Sequence, residues 1–400
     1  MVRVGILDRW LAERVQRLVE PVAVRLELWD GSSPFAARRP PVGDLVVRDR
    51  RTLLGLVVNP ELWFGETYAA GRLAIRGAVE PVVEALSRLS GPATSWRARI
   101  MAALAAPNTL RDARRNIHHY DLGNDFYQLW LDPDLVYTCA YFADPAMSLA
   151  AAQRAKLDLV CRKLRLRPGD TVVEAGCGWG ALALHMARHY GVTVKAFNVS
   201  REQLGFARAR AARDGLMGQV EFIDDDYRNV QGECDVFVSV GMLEHVGLRH
   251  FHSLAAVLGR TVRRHGGRGL LHFIGRDVPR PLNTWIRRRV FPGAYPPTLA
   301  EVTSRVLAPA GMSVIDVENL RLHYARTLEL WSAGFAAATD EIRSTYGEQF
   351  RRTWELYLAG SQAAFATGWM QLFQVVFAPR ESPPPSWTRA EPLPHVEAAA

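Results

Sequence analysis

The chain has 400 residues, 48% hydrophobic and 22% charged, with a formal charge of +8. This length exceeds a usual single core and predicts two domains, while the ordinary globular composition excludes wholesale disorder. Four cysteines without a C-x-x-C pair, no basic-then-apolar leader before Trp10 and no apolar run near the roughly 18 residues of a membrane span predict a reduced, cytoplasmic protein.

From Met1 to about residue 107 short apolar runs alternate with turn signals, which predicts a small α+β domain. Val22 to Leu28 alternates like a half-buried strand, Arg39-Pro40-Pro41 breaks the chain, and Leu62 to Leu89 reads as mainly helical with interruptions at Gly71 and Gly77. Residues 108–380 form the expected second domain. In it Lys156 to Leu166 has helical spacing, and Thr171 to Ala175 is a strand that runs into a glycine loop and the helix Ala181 to Tyr190. Val192 to Phe197 is the next strand, and Ser200 with Gln203 three residues on is a capping-box signature for another helix. Gln219 to Ile223, Val236 to Val240, Gly269 to Ile274, Ser313 to Asn319 and Leu372 to Phe377 complete the strands. Alternation of strand and helix predicts a parallel sheet with helices on both faces and a ligand site beyond the strand carboxyl ends. Residues 381–400 hold five prolines and read as a disordered tail.

Only Lys156, Lys163 and Lys195 are lysine; the other 46 of 49 basic residues are arginine. Clusters such as Arg287-Arg288-Arg289 could meet phospholipid head groups or nucleic acid, but each reads first as a solvated face.

The loop Glu174-Ala175-Gly176-Cys177-Gly178-Trp179-Gly180 carries the chemistry. Its glycines let backbone N–H groups approach a ligand closely, and its G-x-G-x-G spacing differs from the dinucleotide-binding pattern. With Glu174 at the strand end, the pattern resembles S-adenosylmethionine-dependent methyltransferases. That resemblance implies an α/β, Rossmann-like class I methyltransferase sheet. Asn198 lies where this fold offers a side chain to ribose hydroxyls, and Tyr227 beside Asp226 is placed to pack on adenine. Upstream, His118 to Tyr127 and Tyr137 to Phe142 are dense in His, Tyr, Asp and Asn and read as a lid.

The lid, the glycine loop, Val240 to Gly247, Leu271 to Gly275, Trp285 to Pro292, His323 to Leu328 and Gln371 to Phe377 together resemble the cyclopropane-fatty-acyl-phospholipid synthases and the related mycolic acid cyclopropane synthases. Leu62 to Gly77 is similar to the amino-terminal domain of the phospholipid-acting members. The resemblance implies transfer of a methylene group from S-adenosylmethionine to a cis double bond of an unsaturated phospholipid acyl chain. A cyclopropane ring then forms through a carbocation deprotonated by bound bicarbonate. The implied bicarbonate ligands are Cys139, Glu244, His272 and Tyr324, with the backbone at Ile274. The implied cofactor positions are Tyr137, Thr138, Glu174, Gly176, Cys177, Gly178, Trp179, Gly180, Asn198, Ser200, Gln203, Asp226 and Tyr227. No metal and no nucleic acid is expected. A homodimer and transient contact with the inner membrane face are.

Three positions depart from the family pattern. Thr138 stands where many members have Ser, Asn198 replaces the usual Thr, and Ser361 occupies the place of a cysteine in some relatives. None removes an implied bicarbonate ligand. Trp331, Phe335, Trp369 and Phe373 are candidates to wall an acyl tunnel. Loss of a different proton from the same carbocation would give a methylene-branched chain, and a methyltransferase for a soluble natural product is a further alternative.

Overall fold

The computed structural model describes residues 3–34, 40–89 and 122–382. The lid residues His118 to Asp121 and nearly all of the tail lie outside them. The chain forms two compact units.

The first unit comprises the described part of Met1–Arg99 together with Arg280–Pro292 and Tyr324–Met370. Strands β1 (Val24–Glu27), β2 (Gly43–Val47) and β3 (Leu73–Arg76) form its sheet, with β1 parallel and β3 antiparallel to β2. The segment Leu62 to Leu89 is thus two helices, Pro60–Ala69 and Val79–Ser87, separated by a strand rather than a bare turn. The four residues of β3 are too few for a periodic signal, and their pairing with β2 decides the outcome. Asn59 caps the first helix by accepting from Leu62 N–H at 3.1 Å, and Pro60 occupies a position that needs no donor.

The later segments join this unit through specific packing. A Cβ on Gly65 would stand 2.3 Å from the Trp285 ring, so only glycine lets helix Thr284–Arg289 lie against Pro60–Ala69. Helix Glu348–Ala366 is held by Tyr68 Oη donating to Glu355 at 2.6 Å and by Arg352 donating to the Tyr68 carbonyl, also at 2.6 Å. A single cut at residue 107 therefore does not describe how the chain groups.

The second unit comprises the described parts of Ile100–Pro279, Gly293–His323 and Gln371–Ala400. Its strands are β4 (Thr171–Ala175), β5 (Thr193–Asn198), β6 (Val220–Asp224), β7 (Val236–Val240), β8 (Arg268–Gly275), β9 (Met312–Asn319) and β10 (Gln371–Pro379). They form one sheet in the order β6-β5-β4-β7-β8-β10-β9. Alternate residues feed cores on opposite faces: Val172, Val236 and Val238 on one, Val173, Ala175 and Phe237 on the other. Leu182 and Met186 of helix Ala181–Tyr190 cover the first, and Leu254 and Leu258 of helix Phe251–Thr261 the second. The fold is the expected α/β class I methyltransferase sheet with a small three-stranded α+β region.

The sheet is mixed, however, and not wholly parallel. β10 runs antiparallel to both β8 and β9. The chain leaves β9 at Asn319 and re-enters at Gln371, which pairs with Gly275 at the carboxyl end of β8. A strand that starts at that end must run backward.

Candidate active site

A cavity of about 230 Å³ opens beyond the carboxyl ends of β4, β5 and β7. Of the residues expected to bind the cofactor, all but Gly180 line it. Gly180 instead starts helix Ala181–Tyr190 in a left-handed conformation, φ +81°, with Phe222 and Ala207 filling the space a Cβ would need. Gly178 is different: a Cβ there would meet no protein atom within 4 Å. Gly176 and Cys177 donate their N–H groups to the Phe197 carbonyl at 2.9 and 3.1 Å, which ties the loop to the end of β5.

Several expected contact residues turn out to hold the scaffold. Asn198 donates to the Gly178 carbonyl at 3.1 Å and to Gln203 Oε1 at 2.8 Å, while its own oxygen accepts from Val199 N–H at 2.8 Å. The capping box is only half made: Ser200 Oγ accepts from Gln203 N–H at 3.4 Å, but the Gln203 side chain turns to Asn198. Asp226 receives two bonds from the Arg228 guanidinium, at 2.7 and 2.8 Å. Tyr227 is buried at the cavity wall. The described part of the lid packs on the loop, where Trp179 Nε1 donates to Asn124 at 2.6 Å and the Tyr127 ring lies 5.0 Å from Trp179 and 5.3 Å from Tyr137.

Glu174 is buried, and its Oε2 has no partner. Burial pushes its carboxyl up to about 8, and the Lys156 charge opposes the shift. Lys156, equally buried, is pulled down to about 8 by desolvation and donates to Thr138 Oγ1 at 2.9 Å. An unpartnered carboxylate oxygen beside an open glycine backbone fits a ligand with N–H or O–H donors, as a nucleoside amino acid has.

The expected anion ligands Cys139, Glu244, His272 and Ile274 all lie in the second unit. Glu244, in the turn of helix after β7, accepts the Ile274 N–H through Oε1, and its buried Oε2 has no partner. Burial raises the carboxyl to about 7, with the Ile274 bond opposing. Cys139 is fully buried, its thiol 3.1 Å from the Ala140 carbonyl and 3.9 Å from that of Leu320. Leu320 N–H in turn donates to Leu372, which pairs with Ile274 across β10 and β8. That chain of bonds brings Cys139 to the same strand ends. Tyr324 belongs to the first unit, where its ring packs 4.5 Å from Phe365 and 5.9 Å from Trp331. Phe373, a tunnel candidate, instead packs in the sheet core on Phe273.

Sequence reasoning missed what orients His272. Lys163 Nζ donates to Gln374 Oε1 at 2.7 Å and also pairs with Glu318. With its oxygen so engaged, Gln374 turns Nε2 to His272 Nδ1, 3.1 Å away on the paired strand. An amide NH₂ only donates, so Nδ1 must accept and the proton resides on Nε2. Burial holds the imidazole far below its ordinary value and hence neutral. His272 therefore presents a buried, unpartnered Nε2–H donor. The signal for these residues was the scarcity of lysine: two of the chain's three serve this region. Gln374→Leu is expected to release the tautomer, read as loss of the protonated Nε2 and unprotonated Nδ1 pattern in imidazole nitrogen NMR.

Glu244 Oε2 and His272 Nε2 thus offer one acceptor titrating near neutrality and one fixed donor, a combination suited to a small oxyanion that carries an exchangeable proton. Among the described residues no group of His, Cys, Asp or Glu has a metal-binding arrangement.

Comparison with known proteins identifies the family. Residues 108–375 match the family model described as mycolic acid cyclopropane synthetase. A protein of Pseudomonas putida named "Probable fatty acid methyltransferase" is 37% identical over 361 residues, covering 88% of this chain and 91% of its own. The cyclopropane-fatty-acyl-phospholipid synthase of Escherichia coli is 39% identical over 261 residues, 65% of this chain and 66% of that one. A mycolic acid cyclopropane synthase solved with SAH and CTAB superposes with a TM-score of 0.62 at 29% identity, covering 66% of this chain and 97% of its own. With motif order, fold and cavity in agreement, the chain belongs to the mycolic acid cyclopropane synthetase family of S-adenosylmethionine-dependent methyltransferases, related to the cyclopropane-fatty-acyl-phospholipid synthases.

Proposed function

We propose that the protein converts the cis double bond of an unsaturated phospholipid acyl chain into a cyclopropane ring, working at the inner face of the membrane. Bound S-adenosylmethionine would supply the electrophilic methyl group, and bound bicarbonate the base. The alkene π pair would form the new carbon–carbon bond as the methyl–sulfur bond breaks and the neutral thioether S-adenosylhomocysteine leaves; loss of one proton from the added methyl would close the ring, a net gain of CH2. The observation that carries this reading is the buried pair of unpartnered atoms, Glu244 Oε2 and His272 Nε2. The Nε2–H fixes an oxyanion by donation, and Glu244, ionised above about pH 7, accepts a proton from it. The Cys139 thiol, 3.9 Å from the Leu320 carbonyl, supports the same reading, and Glu174 with the Gly178 backbone would hold the cofactor's polar groups. Among the described residues no helix is long and apolar enough to cross a membrane, in keeping with action from its surface.

A second reading is favoured by relatives such as the Pseudomonas putida protein, matched over 91% of its length, which is named a fatty acid methyltransferase rather than a cyclopropane synthase. A 1,2-hydride shift onto the cationic carbon, followed by loss of a proton from the added methyl, would leave a methylene branch on the chain. Both products have the same mass. Proton NMR of lipid products from S-adenosylmethionine, bicarbonate and monounsaturated phospholipid vesicles separates them. Upfield cyclopropyl signals are expected; vinylidene signals without them would establish the branched product.

A further inference from the structure

Helix Ile6–Val19 is sharply two-sided. Its inner face buries Leu11, Ala12, Val15 and Val19 against Leu26, Leu53 and the rest of the first unit's core. At 3.6 residues per turn, Ile6, Leu7, Trp10, Arg14, Arg17 and Leu18 fall on one outer stripe about 120° wide. Ile6 is 91% exposed, Leu7 61%, Trp10 51% and Leu18 60%, and the Arg14 guanidinium lies 5.4 Å from the Trp10 ring. Helix Arg50–Val58 packs beside it, tied by the Arg50 pair with buried Asp8, and turns Arg51, Leu54 and Val58 outward, the last 80% exposed.

This surface joins large apolar side chains to an excess of positive charge. Arg3, Arg9, Arg14, Arg17 and Arg51 stand against only Glu13 and Glu20, a balance of +3, with Arg50 and Asp8 cancelling. Scattered exposed apolar residues are ordinary, but six of them on two adjacent helices among arginines are not. We propose that this face docks the protein on a bilayer containing anionic phospholipid. The apolar side chains enter the acyl boundary, Trp10 lies at head-group depth, and the arginines meet lipid phosphates. A second copy of the chain fits poorly, because a two-fold contact through this patch would set arginines against arginines. The inference rests on the proposed phospholipid substrate and names the element that brings the enzyme to it.

The test is co-sedimentation of the full chain with vesicles of phosphatidylglycerol or of phosphatidylcholine, alongside turnover on detergent-dispersed monounsaturated phospholipid. Binding is expected to favour phosphatidylglycerol and to weaken at about 1 M salt, where charges are screened beyond roughly 3 Å. Ile6→Ser with Trp10→Ser, and separately Arg9→Glu with Arg14→Glu, should each reduce vesicle partitioning about tenfold or more while turnover on dispersed lipid is kept. Variants that bind vesicles like the parent overturn the proposal even if the enzyme is active on phospholipid. Absence of turnover on dispersed lipid would overturn the substrate reading instead, since sedimentation does not depend on it. A parent dimer that the variants dissociate, with vesicle binding unchanged, would assign the face to a second copy.

Discussion

Glu244→Gln is expected to lower turnover by about 10²- to 10⁴-fold, the usual contribution of a positioned acid–base group, while making the protein more stable above pH 7. The amide keeps the oxygen that accepts from Ile274 but cannot take up a proton from the site. The parent carboxyl is raised by burial from 4.5 to about 7. Between those values the folded protein retains a proton that the unfolded chain has released, so stability falls as pH rises through the window. Above pH 7 the buried ionised carboxylate costs up to about 3 kcal/mol, which the neutral amide avoids. Turnover has the opposite sign. It requires the ionised form, so parent kcat/KM should rise about tenfold per pH unit below 7 and level off above it. Denaturant midpoints at pH 6 and 8.5, with a pH–rate profile, check both. A variant as active as the parent, or less stable at pH 8.5, would remove Glu244 from the proposed role.

The second large effect separates two glycines of one loop. Gly180→Val should destabilise the fold by about 2–5 kcal/mol: about 1–2 for a left-handed backbone and about 1–3 for overpacking. A Cβ there would already stand 2.7 Å from Phe222 and 2.9 Å from Ala207. Gly178→Ala pays only the backbone term in folding, because no protein atom lies within 4 Å of the added carbon. Its Cβ would instead occupy the cavity wall where a ligand approaches. The expected result is a clear fall in melting temperature for the first and, for the second, a smaller fall with at least tenfold weaker binding of S-adenosylhomocysteine by calorimetry. Equal melting temperatures in the two variants would contradict this division.

The glycine loop, the strands from Thr171 onward and the helix behind the loop were legible because their signals are local. A run of five or six β-formers ending in G-x-G-x-G needs no distant contact to be recognised, and residues at the ends of parallel strands gather at one edge by topology. For the same reason the sequence by itself determined the fold class and set Glu174, Glu244 and His272 at strand ends, whereas Cys139 was implied only by the family resemblance. Local pattern carries no record of strand direction or of hydrogen-bond partners far along the chain. Only the tertiary structure decided that β10 enters backward beside β8, and that register sets Gln374 against His272. It also engaged Asn198 and Asp226 within the scaffold, separated Gly180 from the cavity and grouped Tyr324 with the first unit. Each depends on which atoms become neighbours after the chain has closed loops of tens to hundreds of residues. The periodicity of a few successive side chains cannot specify that.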